Sequence, residues 1–227
     1  MDSKPSDGRA MGQDPATQRL NMVNGQIRVA DVNDLDLVGA FLDVPREEFV
    51  APEAKGVAYL DSAQPSLGST TRRLLPPVVL ARLIQAAGVG AGDRVLDVGG
   101  GAGYGAAILA RLGAKVVALE SDPGAAEAAR RLLASRGVET LEGDLDKGAA
   151  GKGPFVVIVV EGAFETAPEA LLAELAENGR LVGVEAGSRA QTAVLVERRN
   201  GESSRRALFE TRVAEFEAFR RARDFAF

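Results

Sequence analysis

Along the middle of the chain, short apolar runs alternate with longer stretches in which apolar residues recur every three or four positions. The apolar runs predict strands over 94–98, 115–120, 138–141, 155–160 and 180–185, and the helical spacing predicts helices over 104–112, 124–135 and 168–176. Strands that are apolar throughout and alternate with helices imply an α/β fold, a doubly wound, mostly parallel sheet covered on both faces. Upstream, helices fit 17–27 and 34–42, where Leu35, Val38 and Leu42 recur at helical spacing, followed by an irregular connector over 43–52 and a loop-rich stretch over 59–73. Pro76 and Pro77 open a further helix through Val78, Leu80, Leu83 and Ile84 that Gly88 ends. Downstream, 192–198 and 207–213 read as strands around the turn Asn200-Gly201, an antiparallel C-terminal addition. The polar segment 1–16 reads as a disordered tail. The expected organisation is a tail over 1–16, a helical and loop subdomain over 17–77 that covers the substrate site, a ligand-binding core over 78–190, and strands over 191–227 that complete the sheet.

The sharpest local signal follows the first of the core strands: Asp97-Val-Gly99-Gly100-Gly101-Ala-Gly103-Tyr104-Gly105, with five glycines in seven residues from Gly99. Glycine lets the backbone turn sharply and approach a ligand closely, and the helix start beyond it presents free N–H groups to an anionic group. Asp97, at the strand end, would repel a pyrophosphate but suits a ligand that also bears an ammonium, such as the methionine end of S-adenosylmethionine. The pattern Asp97-x-Gly99-x-Gly101-x-Gly103 resembles the first motif of class I methyltransferases. Gly101-x-Gly103-x-x-Ala106 also fits a loose dinucleotide fingerprint, so a nicotinamide dehydrogenase stays open on this motif alone. In a doubly wound sheet the ligand lies beyond the carboxyl ends of the strands. Those ends carry Asp97, Glu120, Asp144 and Glu161. Glu120 suits a ribose diol and Asp144 an adenine amine.

Composition narrows the chemistry further. The 227 residues include no histidine and no cysteine, which excludes a Ser-His-Asp triad, a cysteine nucleophile, disulfides and a His- or Cys-ligated metal; no metal is expected. The net charge of −5 argues against nucleic acid as a partner. The apolar runs are too short to span a membrane, and the first residues lack the apolar core of a signal peptide, so a cytoplasmic protein is expected.

The chain as a whole, from Asn21 on, looks like the protein-L-isoaspartate O-methyltransferase family. The resemblance is carried by Met22-Val-x-x-Gln26-Ile-Arg28, Asp34 and Val44-Pro-Arg-Glu-x-Phe-Val50, then by Val95 to Tyr104, Val117-x-x-x-Glu120-Ser121, Gly143-Asp144, Pro154-Phe155 and Gly179-Arg-Leu-Val182. It implies a Rossmann-like class I methyltransferase fold, S-adenosyl-L-methionine as cofactor, S-adenosyl-L-homocysteine as product, and methylation of the free carboxylate of isoaspartyl residues, the first step of protein repair. It assigns the cofactor to Asp97, Gly99, Gly100, Gly101, Gly103, Tyr104, Glu120, Ser121, Gly143, Asp144 and Glu161. The family's Thr-x-Ser-Gln-Pro segment falls on Arg73-Leu-Leu75-Pro76-Pro77, so Leu75 stands where the family has its serine and Pro76 where it has glutamine; Val156 stands where an Asp is common.

Methyl transfer from a sulfonium to an ionised carboxylate needs neither acid nor base, which a chain without histidine can accommodate. Arg72 and Arg73, with the hydroxyls of Thr70 and Thr71, are the catalytic candidates, because arginine matches a carboxylate bidentately. Arg28 is a second candidate for that role. A methyltransferase for a small-molecule carboxylate and a non-catalytic cofactor-binding protein remain alternatives.

Overall fold

The computed structural model describes residues 14–166 and 168–220; the expectations for 1–13 and 221–227 lie outside them. The helices are α1 (Pro15–Met22), α2 (Leu35–Asp43), α3 (Pro77–Ala87), α4 (Tyr104–Arg111), α5 (Pro123–Leu133) and α6 (Glu169–Ala173). The strands are β1 (Gln64–Pro65), β2 (Arg73–Leu74), β3 (Arg94–Val98), β4 (Lys115–Glu120), β5 (Glu139–Glu142), β6 (Phe155–Phe164), β7 (Leu175–Ala186), β8 (Gln191–Arg199) and β9 (Glu202–Thr211). A seven-stranded sheet runs β5-β4-β3-β6-β7-β8-β9, parallel from β5 to β7 and antiparallel at β8 and β9, while β1 and β2 form a separate antiparallel pair. This is the doubly wound, mostly parallel Rossmann-like sheet with an antiparallel addition that the sequence implied. The direction of strand addition reverses between β3 and β6, which makes their carboxyl ends the crevice where such folds bind ligands.

Local chemistry sets the boundaries. The Asp14 side chain accepts from the Thr17 N–H and Pro15 fills the first turn, so α1 starts ahead of the expected position 17. It then loosens into a π-turn over Val23–Ile27 instead of continuing as one helix to 27. The Asp34 side chain accepts from Asp36 and Leu37 N–H at 3.0 Å to start α2. The strand expected over 155–160 runs on to Phe164: Glu161 and Gly162 interrupt the apolar run, and the pairing with β7 breaks after Val159 and resumes at Ala163 after a register shift. The helix expected over 168–176 shrinks to Glu169–Ala173, since Leu175 already pairs with Phe155. The last strand lies over Glu202–Thr211 and not 207–213: Asn200 and Gly201, at φ 53° and 79°, make a two-residue turn that fixes β9 from Glu202, and its polar first half is an exposed edge.

Side chains alternate across the sheet. Val95 of β3 and Val157 and Val159 of β6 pack into the layer of α3, α4 and the N-terminal helices. Leu96, Val98, Ile158 and Val160 pack into the opposite layer, which Phe216 and Phe219 complete from the chain beyond β9. That C-terminal stretch crosses the strand ends: the Ala163 N–H donates to the Ala214 carbonyl at 2.8 Å and the Phe216 N–H to the Ala163 carbonyl at 2.9 Å. Among the described residues no helix is long and apolar enough to cross a membrane.

Candidate cofactor and acceptor cleft

The glycine turn requires its glycines. Gly99, Gly101 and Gly103 have φ of 73°, 63° and 91°, a backbone region that side-chain-bearing residues avoid. The space around the turn is filled as well: a Cβ on Gly101 would meet the Ser66 side chain, and one on Gly99 would collide with the Phe216 ring. Ser66, fully buried, closes the turn from outside the core fold, its Oγ accepting the Ala102 N–H at 2.8 Å.

Glu120 ends β4 almost fully buried and is saturated with donors. Its Oε2 accepts the Gly101 N–H at 2.9 Å. Its Oε1 accepts from the Ser121 and Asp122 N–H groups at 2.7 and 2.9 Å, and from Arg72 Nε and Nη2 at 3.0 and 2.7 Å. Arg72 also donates to Ser121 Oγ at 3.0 Å and lies 4.6 Å from the Phe216 ring centre.

Asp97 and Glu161 present the opposite situation. They are 1% and 2% exposed, and none of their four oxygens receives a hydrogen bond from another group. The position of a Gly100 Cβ would lie 2.6 Å from Asp97 Oδ2 and 2.9 Å from Glu161 Oε1, so the two carboxyls adjoin over the glycine turn. The register explains the meeting: Asp97 pairs with Val159, two residues before Glu161 on the neighbouring strand. Burial, and then the charge of Glu161, hold Asp97 well above the usual carboxylate range. Burial raises Glu161 to about 7, with the Asp97 carboxyl and then Arg46 pulling it back. Arg46 is itself fully buried; its Nε and Nη2 bind the Ala58 and Leu75 carbonyls at 2.8 Å each, while Nη1 has no partner.

A cavity of about 350 Å³ opens at these strand ends, with Arg72, Arg73, Leu75, Ser121, Glu161 and Phe216 in its wall. Not every candidate residue gathers there. Thr71 lines the cavity and its hydroxyl lies 3.4 Å from Asp122 Oδ2, whereas Thr70 is exposed outside the wall. Arg73 is exposed and tethered only by Nη2 to the Ala63 carbonyl at 2.7 Å. Gly143 docks on β4 through its N–H to the Glu120 carbonyl at 3.0 Å, but the Asp144 side chain is solvent-exposed and paired with Lys147; the neighbouring Leu145 is the cavity residue. The Tyr104 ring is not in the wall. It is core, with Phe41 and Phe49 rings at 6.0 and 5.5 Å and the Arg46 guanidinium at 4.8 Å. Arg28 is exposed and lies outside the wall. Sequence reasoning missed Ser66, Arg46 and Phe216. Arg46 lies inside the Val-Pro-Arg-Glu stretch quoted above, but a buried arginine leaves no periodic signature.

Comparison with known proteins agrees with this geometry. The family model for protein-L-isoaspartate(D-aspartate) O-methyltransferase matches residues 19–214. A Methylorubrum extorquens protein-L-isoaspartate O-methyltransferase is 41% identical over 172 residues, 74% of each chain. One from Koribacter versatilis is 35% identical over 201 residues, 87% of this chain and 89% of its own. A solved protein-L-isoaspartate O-methyltransferase superposes with a TM-score of 0.76 at 28% identity over 87% of this chain, which spans 65% of that protein's length. A Plasmodium falciparum beta-aspartate methyltransferase in complex with S-adenosyl-L-homocysteine shares the fold, with a TM-score of 0.74 at 21% identity over 91% of this chain and 99% of its own. On the extent of the family match and of these relatives, the chain belongs to the protein-L-isoaspartate(D-aspartate) O-methyltransferase family.

Proposed function

We propose that this protein methylates the free carboxylate of isoaspartyl residues in proteins and peptides, the α-carboxylate that the β-linked backbone leaves exposed. Family membership makes it an S-adenosylmethionine-dependent methyltransferase. The observation that carries the reading of the cleft is the pair of buried, unpartnered carboxyls beside a glycine turn with no room for a Cβ. A cavity with Glu161 in its wall, beside a turn of bare backbone, fits a cationic amino acid end next to a nucleoside.

In this reading Asp97 and Glu161 hold the ammonium, the Gly99–Gly103 backbone lies along the cofactor, Glu120 and Ser121 take the ribose hydroxyls, and Leu145, in place of Asp144, borders the base. Bound there, S-adenosylmethionine would supply an electrophilic sulfonium methyl whose leaving group is a neutral thioether. Arg73, exposed in the cavity wall and lightly tethered, is the group that would hold the acceptor carboxylate, joined by Arg72 once its contact with Glu120 is exchanged for ribose. Thr71 sits on the same wall, ready to hydrogen-bond the acceptor's backbone. Leu75 and Phe216 exclude water from the transfer path. Holding the acceptor oxygen in line supplies the rate enhancement, and such positioning contributes on the order of 7–11 kcal/mol.

Radiolabelled methyl transfer to an isoaspartyl peptide, with its aspartyl twin as control, tests this. Base-labile label on the isoaspartyl peptide alone is the expected result; no label from a protein that binds the cofactor sinks the isoaspartyl assignment. One observation favours a second reading. Leu75 is an apolar wall residue where the family resemblance places a hydroxyl. Label on a small-molecule carboxylate, and not on the peptide, would select that reading.

A further inference from the structure

We infer that Asp97 and Glu161 form a proton-for-ammonium exchange site, in which the pair shares one proton and releases it to solvent as an alkylammonium enters between the carboxyls. The inference rests on the reading of the cleft given above and adds to it a coupled proton.

Two carboxylates in contact and out of water repel each other and lack solvation, so an isolated pair of this kind retains a proton. The surroundings supply no remedy. The nearest donors are the Gly105 and Ala106 N–H groups at the start of α4, which pull the two acids down while burial, the larger effect, pushes them up. Facing the pair from the other elements are Arg46 from the turn after α2, Glu120 from β4 and the uncharged Tyr104 from α4, with Asp61 acting on Arg46 from further off. Glu120 is already neutralised by Arg72 at 2.7 Å, which leaves Arg46, among the described residues, as the cation that balances the pair.

The charge count then has two balanced states. With one proton shared, the pair carries a single negative charge against the guanidinium of Arg46. With no proton, its two negative charges face Arg46 and the incoming ammonium. Each state is neutral overall, and they differ by the ammonium gained and the proton lost: Asp97 or Glu161 gives up its O–H proton to water, and no other bond changes. A third arrangement, with the pair protonated and the ammonium bound, would bury an excess positive charge. The approach to the pair is through the cavity at the strand ends, which Glu161 lines, while the absence of side chains at Gly100 and Gly105 is what lets the two carboxyls lie against the backbone.

Calorimetric titration of the whole chain with S-adenosyl-L-homocysteine, in two buffers of different ionisation enthalpy, reads this directly. Near pH 6 one proton should leave per ligand bound, and the dissociation constant should fall about tenfold per pH unit as pH rises towards 7, levelling above it. The ligand's own ammonium stays protonated in this window. Two controls isolate the pair. Methylthioadenosine lacks the amino acid end and should bind without proton release. Glu161→Gln leaves a single carboxylate beside an amide donor and should bind with a flat pH profile. Tight, pH-independent binding of S-adenosyl-L-homocysteine without proton release overturns the exchange site alone. No binding at any pH overturns the cofactor reading and the exchange site with it.

Discussion

Glu120 and the Asp97–Glu161 pair are acids at adjoining strand ends, almost equally buried, and the fold treats them in opposite ways. Glu120 receives three backbone N–H groups and a two-point contact from Arg72. Asp97 and Glu161 receive no hydrogen bond from another group. A buried charge that the protein solvates with its own donors serves as a structural joint; a buried charge left unsolvated weakens the folded state unless something else completes it. The cleft contains both kinds side by side. Glu120 organises the glycine turn, and on the exchange reading the pair waits on a cation.

Mutation should separate the two kinds by sign. The largest effect falls on Glu120→Ala, which strands Arg72 and three N–H groups in a buried site and should lower stability by about 3–5 kcal/mol. A thermal melt unchanged from the parent would remove Glu120 from its structural role. Arg72→Ala should act in a different direction. It frees an oxygen of Glu120 for ribose, so S-adenosyl-L-homocysteine affinity should hold or rise, while turnover on a carboxylate acceptor falls about tenfold or more for want of the guanidinium. Weaker cofactor binding would show that Arg72 supports the ribose site and does not compete for it.

Asp97→Asn gives the smallest change in the melt, and its sign is the informative part. In the folded chain the pair keeps its proton to higher pH than in the unfolded chain. The folded state therefore binds more protons between about pH 4 and neutrality, and the parent loses stability as pH rises through that window. The variant should lose less, so that at pH 8 it melts at or above the parent while binding S-adenosyl-L-homocysteine at least tenfold more weakly. Equal pH slopes for parent and variant would show that the pair is not held protonated.

Much of this comparison was readable before the structure, and the limits have physical causes. Asp97, the glycines and Glu120 were legible because one short segment makes them: an apolar strand, a turn that needs positive φ, and a helix start. The sheet and its antiparallel addition were legible from the same alternation. What closes the cleft was not legible. Phe216 arrives from beyond β9, in a stretch with too few apolar residues to signal an element, and Ser66 and Arg46 lie in connectors whose geometry tertiary contacts set. The end of β6 was hidden for a related reason: Glu161 looked like a loop acid, because a charged residue inside a buried strand runs against the pattern that identifies strands. Asp144 was expected at the base on its position alone, but nothing in the sequence indicates which of Asp144 and Leu145 points inward.

The contact between Ser66 and Ala102 bears on how such an enzyme could change its acceptor. Ser66 is anchored to the glycine turn through its hydroxyl, to Arg72 through its own N–H at 3.0 Å, and next to it the Leu67 N–H donates to the Phe49 carbonyl at 2.9 Å. The segment that carries Ser69, Thr70 and Thr71 is therefore a loop held at its base and pinned to the start of α5, where Asp122 Oδ2 accepts from Ser69 Oγ at 2.6 Å, with Thr70 and Thr71 exposed. On the proposed reading, substitutions at the exposed Thr71 alter what the cleft offers an acceptor without touching the Ser66 contact that holds the turn. Selection acting on this chain could retool the acceptor side, one exposed residue at a time, while the cofactor side is inherited intact.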